Sequence, residues 1–412
     1  MITTFYPPFN FGGDGIFVYH LANALAHIGH HVDVIHCLDS FRLLADSLPE
    51  KPQITHPNVT VHGLKSPFGF LSPLATQQTG YPLFKSKEIR KILDKGFDVI
   101  HYHNISLVGG PAVVKYGRGI KLYTMHEYWL VCPMHVLFRF NKSECTRRHC
   151  MLCSLSYKRP PQLWRYFGLL NRIQRHVDMF IAPSRFCMEK HYEMGLKASM
   201  THLPNFVPLP EIASGDSDQD ETNAEEIPYF LFVGRLEKIK GLQTLIPLFR
   251  RYTKAELWIA GKGSYETKLK RLAKDSANIR FMGYQQGQSL EALYRKARAV
   301  IMPSLCYEIS SIVIPEAFTH RTPVIARKLG GMPEVIQESN AGVLFETENE
   351  LLHAMDTLVE KHTYRQELGE CGYRAYLQNW STQAHLKQYL EIIGNIANKK
   401  DTRISQVNLS EH

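Results

Sequence analysis

Long apolar runs are missing from this 412-residue chain: no window holds 18 consecutive apolar residues, so a membrane-spanning helix of ordinary length is not expected. The N-terminus also lacks the charged, apolar and small-residue order of a secretory leader. A soluble, cytoplasmic protein is the expectation. Cysteine is sparse, with eight in the whole chain, too few for a disulfide scaffold at this length. There is no zinc-finger pair, RNP-type motif or basic heptad arm, which makes nucleic acid a poor candidate partner. The 44% hydrophobic content is that of an ordinary globular protein, and the length suggests two to three domains.

Acidic residues are scarce in the first half. Residues 1–205 hold 23 Lys and Arg against 13 Asp and Glu, a balance of +10, while residues 206–412 hold 25 against 26, a balance of −1. Seven of the later acids fall within 211–226, a composition that builds no core and reads as an exposed acidic linker over 206–228. A basic first half favours an anionic partner, such as a membrane surface or a phosphate-bearing acceptor. A soluble surface that happens to be basic is the plainer alternative.

What the chain does have is alternation. Ile2–Phe5 is a short apolar run, followed by Pro7-Pro8, Gly12-Gly13 and a helical pattern ending at Gly29. Strands are expected at His31–His36, Val99–Tyr102, Lys121–Met125 and Met179–Ala182, with a helix over Leu163–Val177. Beyond the linker, strands are expected at Tyr229–Val233, Ala255–Ala260, Ile279–Met282, Ala299–Met302 and Pro323–Ala326, again with helices between them. This pattern predicts an α/β protein of two doubly wound, Rossmann-like domains, with ligand at the carboxyl ends of the strands and in the cleft between domains. The expected bounds are 1–205 and 229–379, with a final helix at 380–397 and a polar tail at 398–412.

The motif of most weight is Gly234-Arg-Leu-Glu-Lys-Ile-Lys-Gly241, directly after the apolar run Tyr229–Val233. A buried strand that ends in glycine and then presents Arg235 and Lys240 ahead of a helix makes an anion site. Further on, Glu308 and Glu316 are separated by Ile-Ser-Ser-Ile-Val-Ile-Pro and followed by Pro323–Ala326 and Gly330-Gly-Met-Pro-Glu334. On one continuous helix these carboxylates would lie about 12 Å apart along the axis. That is beyond the ~5–9.5 Å of paired glycosidase carboxylates, so two separate jobs fit better. Gly12-Gly13-Asp14-Gly15 opens a helix and is either a second anion-binding turn centred on Gly13 or a plain strand–helix turn. His126 follows the strand Lys121–Met125, and His101 and His103 flank a similar strand end as weaker candidates.

In this order and spacing the motifs resemble the nucleotide-sugar domain of family 4 retaining glycosyltransferases. The resemblance covers nearly the whole chain and is most specific over Tyr229–Leu344. It implies the GT-B architecture, with the acceptor mostly on the first domain, the nucleotide on the second, and a last helix that crosses back. It implies Arg235 and Lys240 on the donor diphosphate, Glu316 on the ribose hydroxyls, and Glu308 and His126 at the donor hexose. Ser310 and Ser311 stand where the family usually has Gly-Phe or similar, in a loop that would face the donor sugar. A nucleoside-diphosphate sugar of UDP or GDP type is the implied donor, a saccharide or lipid-linked saccharide the acceptor, and no catalytic metal is needed. The chain's lack of an Asp-x-Asp pair at a strand end agrees. A nucleotide-sugar epimerase of the same architecture, or transfer to a small soluble acceptor, is the rival reading. The family's first strand usually begins several residues before the position of Ile2.

Two features stand apart from the catalytic motifs. Cys132, Cys145, Cys150 and Cys153 have a spacing that would suit a closed four-thiolate structural zinc site; a reduced cluster in a surface loop, or reversible disulfides, is the alternative. Lys158–Arg175 combines five cations with Trp164, Tyr166 and Phe167, a helix that could lie on the inner face of an anionic membrane or simply snorkel its cations from the domain surface.

Overall fold

The computed structural model describes residues 1–45, 49, 54–210 and 227–410. The acids of 211–226 therefore lie outside the described residues. The chain forms two compact units: Met1–Phe140, Arg147–Asn205 and Thr382–His412 make the first, Asn141–Thr146 and Phe206–Ser381 the second.

The first unit carries β1 (Val32–Cys37), β2 (Val59–Leu64), β3 (Val99–Tyr102) and β4 (Ile120–Thr124). The two-residue β5 (Phe138–Arg139), β7 (Met179–Ala182) and β8 (Met200–His202) complete the set, while the two-residue β6 (Ser143–Glu144) falls in the second unit. β1 pairs with β2, and β3-β4-β7-β8 form a parallel sheet. The expected first strand at Ile2–Phe5 is very short, with Ile2 as its bridging residue. Ile2 bridges Ile35 on one side and Tyr102 on the other, both in parallel, so it stands where a central strand would link the two sheets. The turn at Pro7-Pro8 follows soon after, yet Met1–Thr4 still exchange main-chain hydrogen bonds with Ile35 and Cys37 on one side and with His101, His103 and Asn104 on the other.

The expected helix over Leu163–Val177 is a second correction. The segment is a 3₁₀ turn at Leu163–Phe167, a short helix at Leu169–Ile173 and another 3₁₀ turn at Gln174–His176. Gly168 lies between the first two with φ of 64°, a left-handed conformation that ends a helix. The C-terminal helix differs in the other direction: it runs from Thr382 to Ser410, well past the expected end at 397.

The second unit is a single six-stranded parallel sheet. Its strands are β9 (Tyr229–Val233), β10 (Glu256–Ala260), β11 (Ile279–Gly283), β12 (Val300–Met302), β13 (Val324–Arg327) and β14 (Gly342–Phe345). Their order is β11-β10-β9-β12-β13-β14, the doubly wound arrangement that reverses direction between β9 and β12. Along β9, Phe230 and Phe232 join one buried cluster while Tyr229 and Leu231 join another. Alternate residues thus feed opposite faces, each covered by helices, as a parallel sheet requires.

Candidate active site

The reversal between β9 and β12 leaves a crevice at their carboxyl ends, and the conspicuous motifs fall there. β9 ends at Gly234, whose φ is 149° and whose N–H donates to the Ala260 carbonyl at 3.1 Å. The loop then presents Arg235 and, after a 3₁₀ turn at Lys238–Lys240, the glycine Gly241 that precedes the helix Leu242–Phe249. Gly241 is required: its φ is 82°, and a Cβ would sit 2.0 Å from the Pro303 carbonyl oxygen at the end of β12. The two loops are thereby pressed together.

Their side chains meet. Lys240 Nζ donates to Glu308 Oε1 at 2.6 Å, and the Ser304 hydroxyl donates to the same oxygen at 2.6 Å. Burial pushes the Glu308 carboxyl up, but the Lys240 ammonium, the Ser304 hydroxyl and Arg235 outweigh it and hold it below its ordinary value. Burial likewise disfavours the Lys240 charge, and Glu308 beside it more than compensates. Both groups are ionised at neutral pH. Arg235 is more exposed and pairs with Glu237 at 3.0 Å.

Glu316 occupies different surroundings. It sits in the first turn of the helix Val313–Thr319, where it accepts a hydrogen bond from the Tyr294 hydroxyl at 2.8 Å. Burial, only partly offset by that hydroxyl, raises its carboxyl to about 7. Glu308 lies in the loop before this helix, so the two carboxylates do not share one helix. Ser310 and Ser311 occupy the half-buried connection between them. Gly330, with φ of 67°, backs onto the Glu308 main chain, and the Gly331 N–H donates to the Glu308 carbonyl at 2.7 Å. The Gly-Gly pair thus braces the loop that carries Glu308.

A second constellation belongs to the first unit. His126 follows β4, and its Nε2 lies 3.0 Å from His103 Nδ1 beyond β3. Phe17, on the helix Gly13–His27, packs its ring 5.0 Å from that of His126. Gly13 opens this helix, and Asp14 beside it accepts a hydrogen bond from Asn104 at 3.0 Å. Gly15 has no room for a side chain, since a Cβ would lie 2.2 Å from Asn10 Oδ1. Burial drops the His126 imidazole to about 4, opposed by the Asp14 carboxylate, and the ring is neutral at physiological pH.

His103, the weaker sequence candidate, is thus tied directly to His126. Ser304 and Tyr294 were not singled out in the sequence. Ser304 carried a faint signal, standing at a strand end four residues before Glu308.

The cysteines do not assemble as their spacing allows. Among the described residues no three His, Cys, Asp or Glu side chains converge on a point able to hold a metal ion. Cys145 belongs to the second unit, Cys132, Cys150 and Cys153 to the first. Burial raises the Cys132 and Cys150 thiols, with Arg165 near enough to both to oppose the rise. Arg165 itself is engaged, donating to the Trp129 and Leu130 carbonyls and to Gln162.

Two family models match the chain. "Glycosyltransferase Family 4" matches residues 11–210 and "Glycosyl transferases group 1" matches residues 227–361. The chain is a GT-B glycosyltransferase. An uncharacterized glycosyltransferase of Methanocaldococcus jannaschii is 27% identical to it over 92% of this chain and 91% of that protein. The lipopolysaccharide core biosynthesis glycosyltransferase LpsE of Rhizobium meliloti is 24% identical over 54% of this chain and 65% of its own length. The structure of Anabaena HepE in complex with UDP and glucose superposes with a TM-score of 0.68 at 18% identity, covering 96% and 99% of the two chains. In this glycosyltransferase no helix among the described residues is long and apolar enough to cross a membrane.

Proposed function

We propose that this glycosyltransferase moves a hexose, with retention of configuration, from a UDP- or GDP-sugar to a saccharide or lipid-linked saccharide acceptor. Its place would be cell-surface polysaccharide or glycolipid assembly at the cytoplasmic face of a membrane. The observation that carries the donor reading is the Lys240–Glu308–Ser304 network at the strand-order reversal of the second unit. A fixed cation at that crevice faces the diphosphate, where negative charge grows as the bond to the sugar breaks, and so favours the transition state over the ground state. Glu308, held ionised, turns its carboxylate to the sugar hydroxyls and the developing charge at the reacting carbon. Glu316 accepts from the ribose hydroxyls and Ser310 and Ser311 line the sugar loop, while Gly13 and His126 are the residues of the first unit given parts in donor binding and catalysis. UDP and glucose in the HepE complex support the donor class, and the naming of LpsE supports a cell-surface product.

Catalysis in this proposal uses no metal, so activity should survive a chelator. The direct test is a thermal-shift series with UDP, GDP and their sugars, where binding to the native state raises the melting temperature by mass action. Lys240→Ala should erase the shift; equal shifts in wild type and variant would overturn the assignment. Nuclear magnetic resonance of the product would then report whether the anomeric configuration is kept.

A further inference from the structure

Two stretches of the first unit contain no acid at all: residues 54–87 and residues 145–177 hold neither Asp nor Glu. Between them they expose Lys65, Lys87, Lys158, Arg159, Arg172 and Arg175. The same two stretches leave large apolar side chains in water. Phe70, Leu71, Leu83 and Phe84 come from the first, Leu163 and Phe167 from the second, and Phe167 is 74% exposed. Such side chains are unremarkable when scattered singly, but a contiguous group marks a surface built to be covered.

These are contiguous. The rings of Phe68 and Phe84 lie 4.4 Å apart. The Trp164 indole N–H donates to the Gln77 carbonyl at 3.0 Å, joining the two stretches. Gly80, at φ of 76°, lets Trp164 and Leu169 pack against the chain; a Cβ there would stand 3.0 Å from Trp164 and 2.8 Å from Leu169. Along this seam runs a cavity of about 250 Å³, with Tyr81, Trp164, Phe167 and Leu169 in its wall and Arg172 at its edge. The arginine is held there by its bond to the Phe167 carbonyl at 3.0 Å.

We infer that this face docks on a bilayer bearing anionic headgroups, with the phenylalanines and leucines in the headgroup–acyl boundary and the seam cavity receiving part of an acyl chain. The inference deepens the membrane reading of the proposed function and rests on it. Charge complementarity selects the occupant. A folded partner of mixed charge would find cations in these two stretches and no acid within them to meet its own, the exposed Glu88 lying just beyond Lys87, whereas a layer of lipid phosphates asks for cations around apolar side chains. Not every cation of the region takes part: Arg165 is committed to main-chain carbonyls, and Lys85 is buried against Ser72. The docking set is the exposed one, and it is spread over loops and short helices: Leu71 lies on the helix Leu71–Thr79, Lys87 on Ser86–Leu93 and Arg172 on Leu169–Ile173.

The test uses the full chain with vesicles of phosphatidylcholine, with and without phosphatidylglycerol, at low salt. Wild type should sediment with the anionic vesicles only. The double variants Phe70→Ser/Phe167→Ser and Lys87→Glu/Arg172→Glu should each lower that partition about tenfold or more. UDP-induced thermal shifts should stay unchanged in both. Absence of wild-type binding, or variants that bind as wild type does, overturns the inference; so does a concentration-dependent dimer that the variants abolish, which would make a second copy the occupant. Should a double variant fail to fold, quenching of wild-type tryptophan fluorescence by acyl-brominated lipid decides the matter, and no quenching refutes it. Loss of vesicle binding with an intact UDP shift leaves the donor reading standing, and vesicle binding without any UDP shift does the reverse.

Discussion

Lys240 and Glu308 hold each other ionised in a crevice that neither could occupy alone. Breaking a mostly buried pair by removing one partner costs on the order of 3 kcal/mol, because the remaining charge is stranded. Lys240→Ala should therefore lower the melting temperature as well as erase nucleotide binding, and adding Glu308→Gln should restore part of the stability and none of the binding. A double-mutant cycle by chemical denaturation measures the coupling. Glu316 behaves oppositely. Its carboxyl is raised from 4.5 to about 7, so its contribution to the unliganded fold is complete below pH 4.5 and is lost as pH rises through 7. Ribose hydroxyls donate best to the ionised form, so nucleotide binding near pH 6 should release close to one proton. Calorimetry in buffers of different ionisation enthalpy reads this directly, and Glu316→Gln should abolish it. His126 was legible as a strand-end residue, but its bond to His103 was not, because the partner lies 23 residues away in sequence on another strand.

At the scale of elements, a loop is only as accurate as what braces it. Gly330 backs the Glu308 loop so closely that a Cβ would meet the Glu308 nitrogen at 2.6 Å. Gly330→Ala should cost about 1–3 kcal/mol from its positive φ alone and should lower kcat more than it raises KM, measured by steady-state kinetics beside thermal denaturation. The long, alternating runs were legible: β9, β10 and β13 lie within a residue or two of their expected places because both faces of each are buried. The short elements were not. β8, with the sequence Met-Thr-His, carries no apolar run at all, and the Val59–Val61 alternation of β2 and the Val343–Phe345 run of β14 are too short to mark a strand against a loop. The Leu163–Val177 segment shows helical spacing that one glycine at a left-handed φ interrupts. The hexapeptide Asn141–Thr146 was equally opaque. It belongs with the second unit, where the Tyr307 hydroxyl donates to Glu144 at 2.6 Å and Lys238 Nζ to the Asn141 carbonyl at 2.8 Å.

Across the whole molecule, the order of residues and the order of assembly diverge. The first unit is closed by the C-terminal helix: the Tyr389 hydroxyl reaches His101 Nδ1 at 3.0 Å, His385 lies 2.7 Å from the Pro204 carbonyl, and Lys400 pairs with Asp178 at 2.8 Å. Ending the chain before Thr382 should remove one of two calorimetric transitions and leave the other responsive to UDP. In the cell the same arrangement sets a schedule. At a synthesis rate of ~5–20 residues per second, the whole of Phe206–Ser381 must emerge before the closing helix does, a wait of about 9–35 s. Throughout it, the nascent first half stands on the ribosome with the seat of that helix empty and the apolar side chains beneath it exposed. A premature stop codon anywhere downstream would make the wait permanent, so the half translated first is the last to be finished.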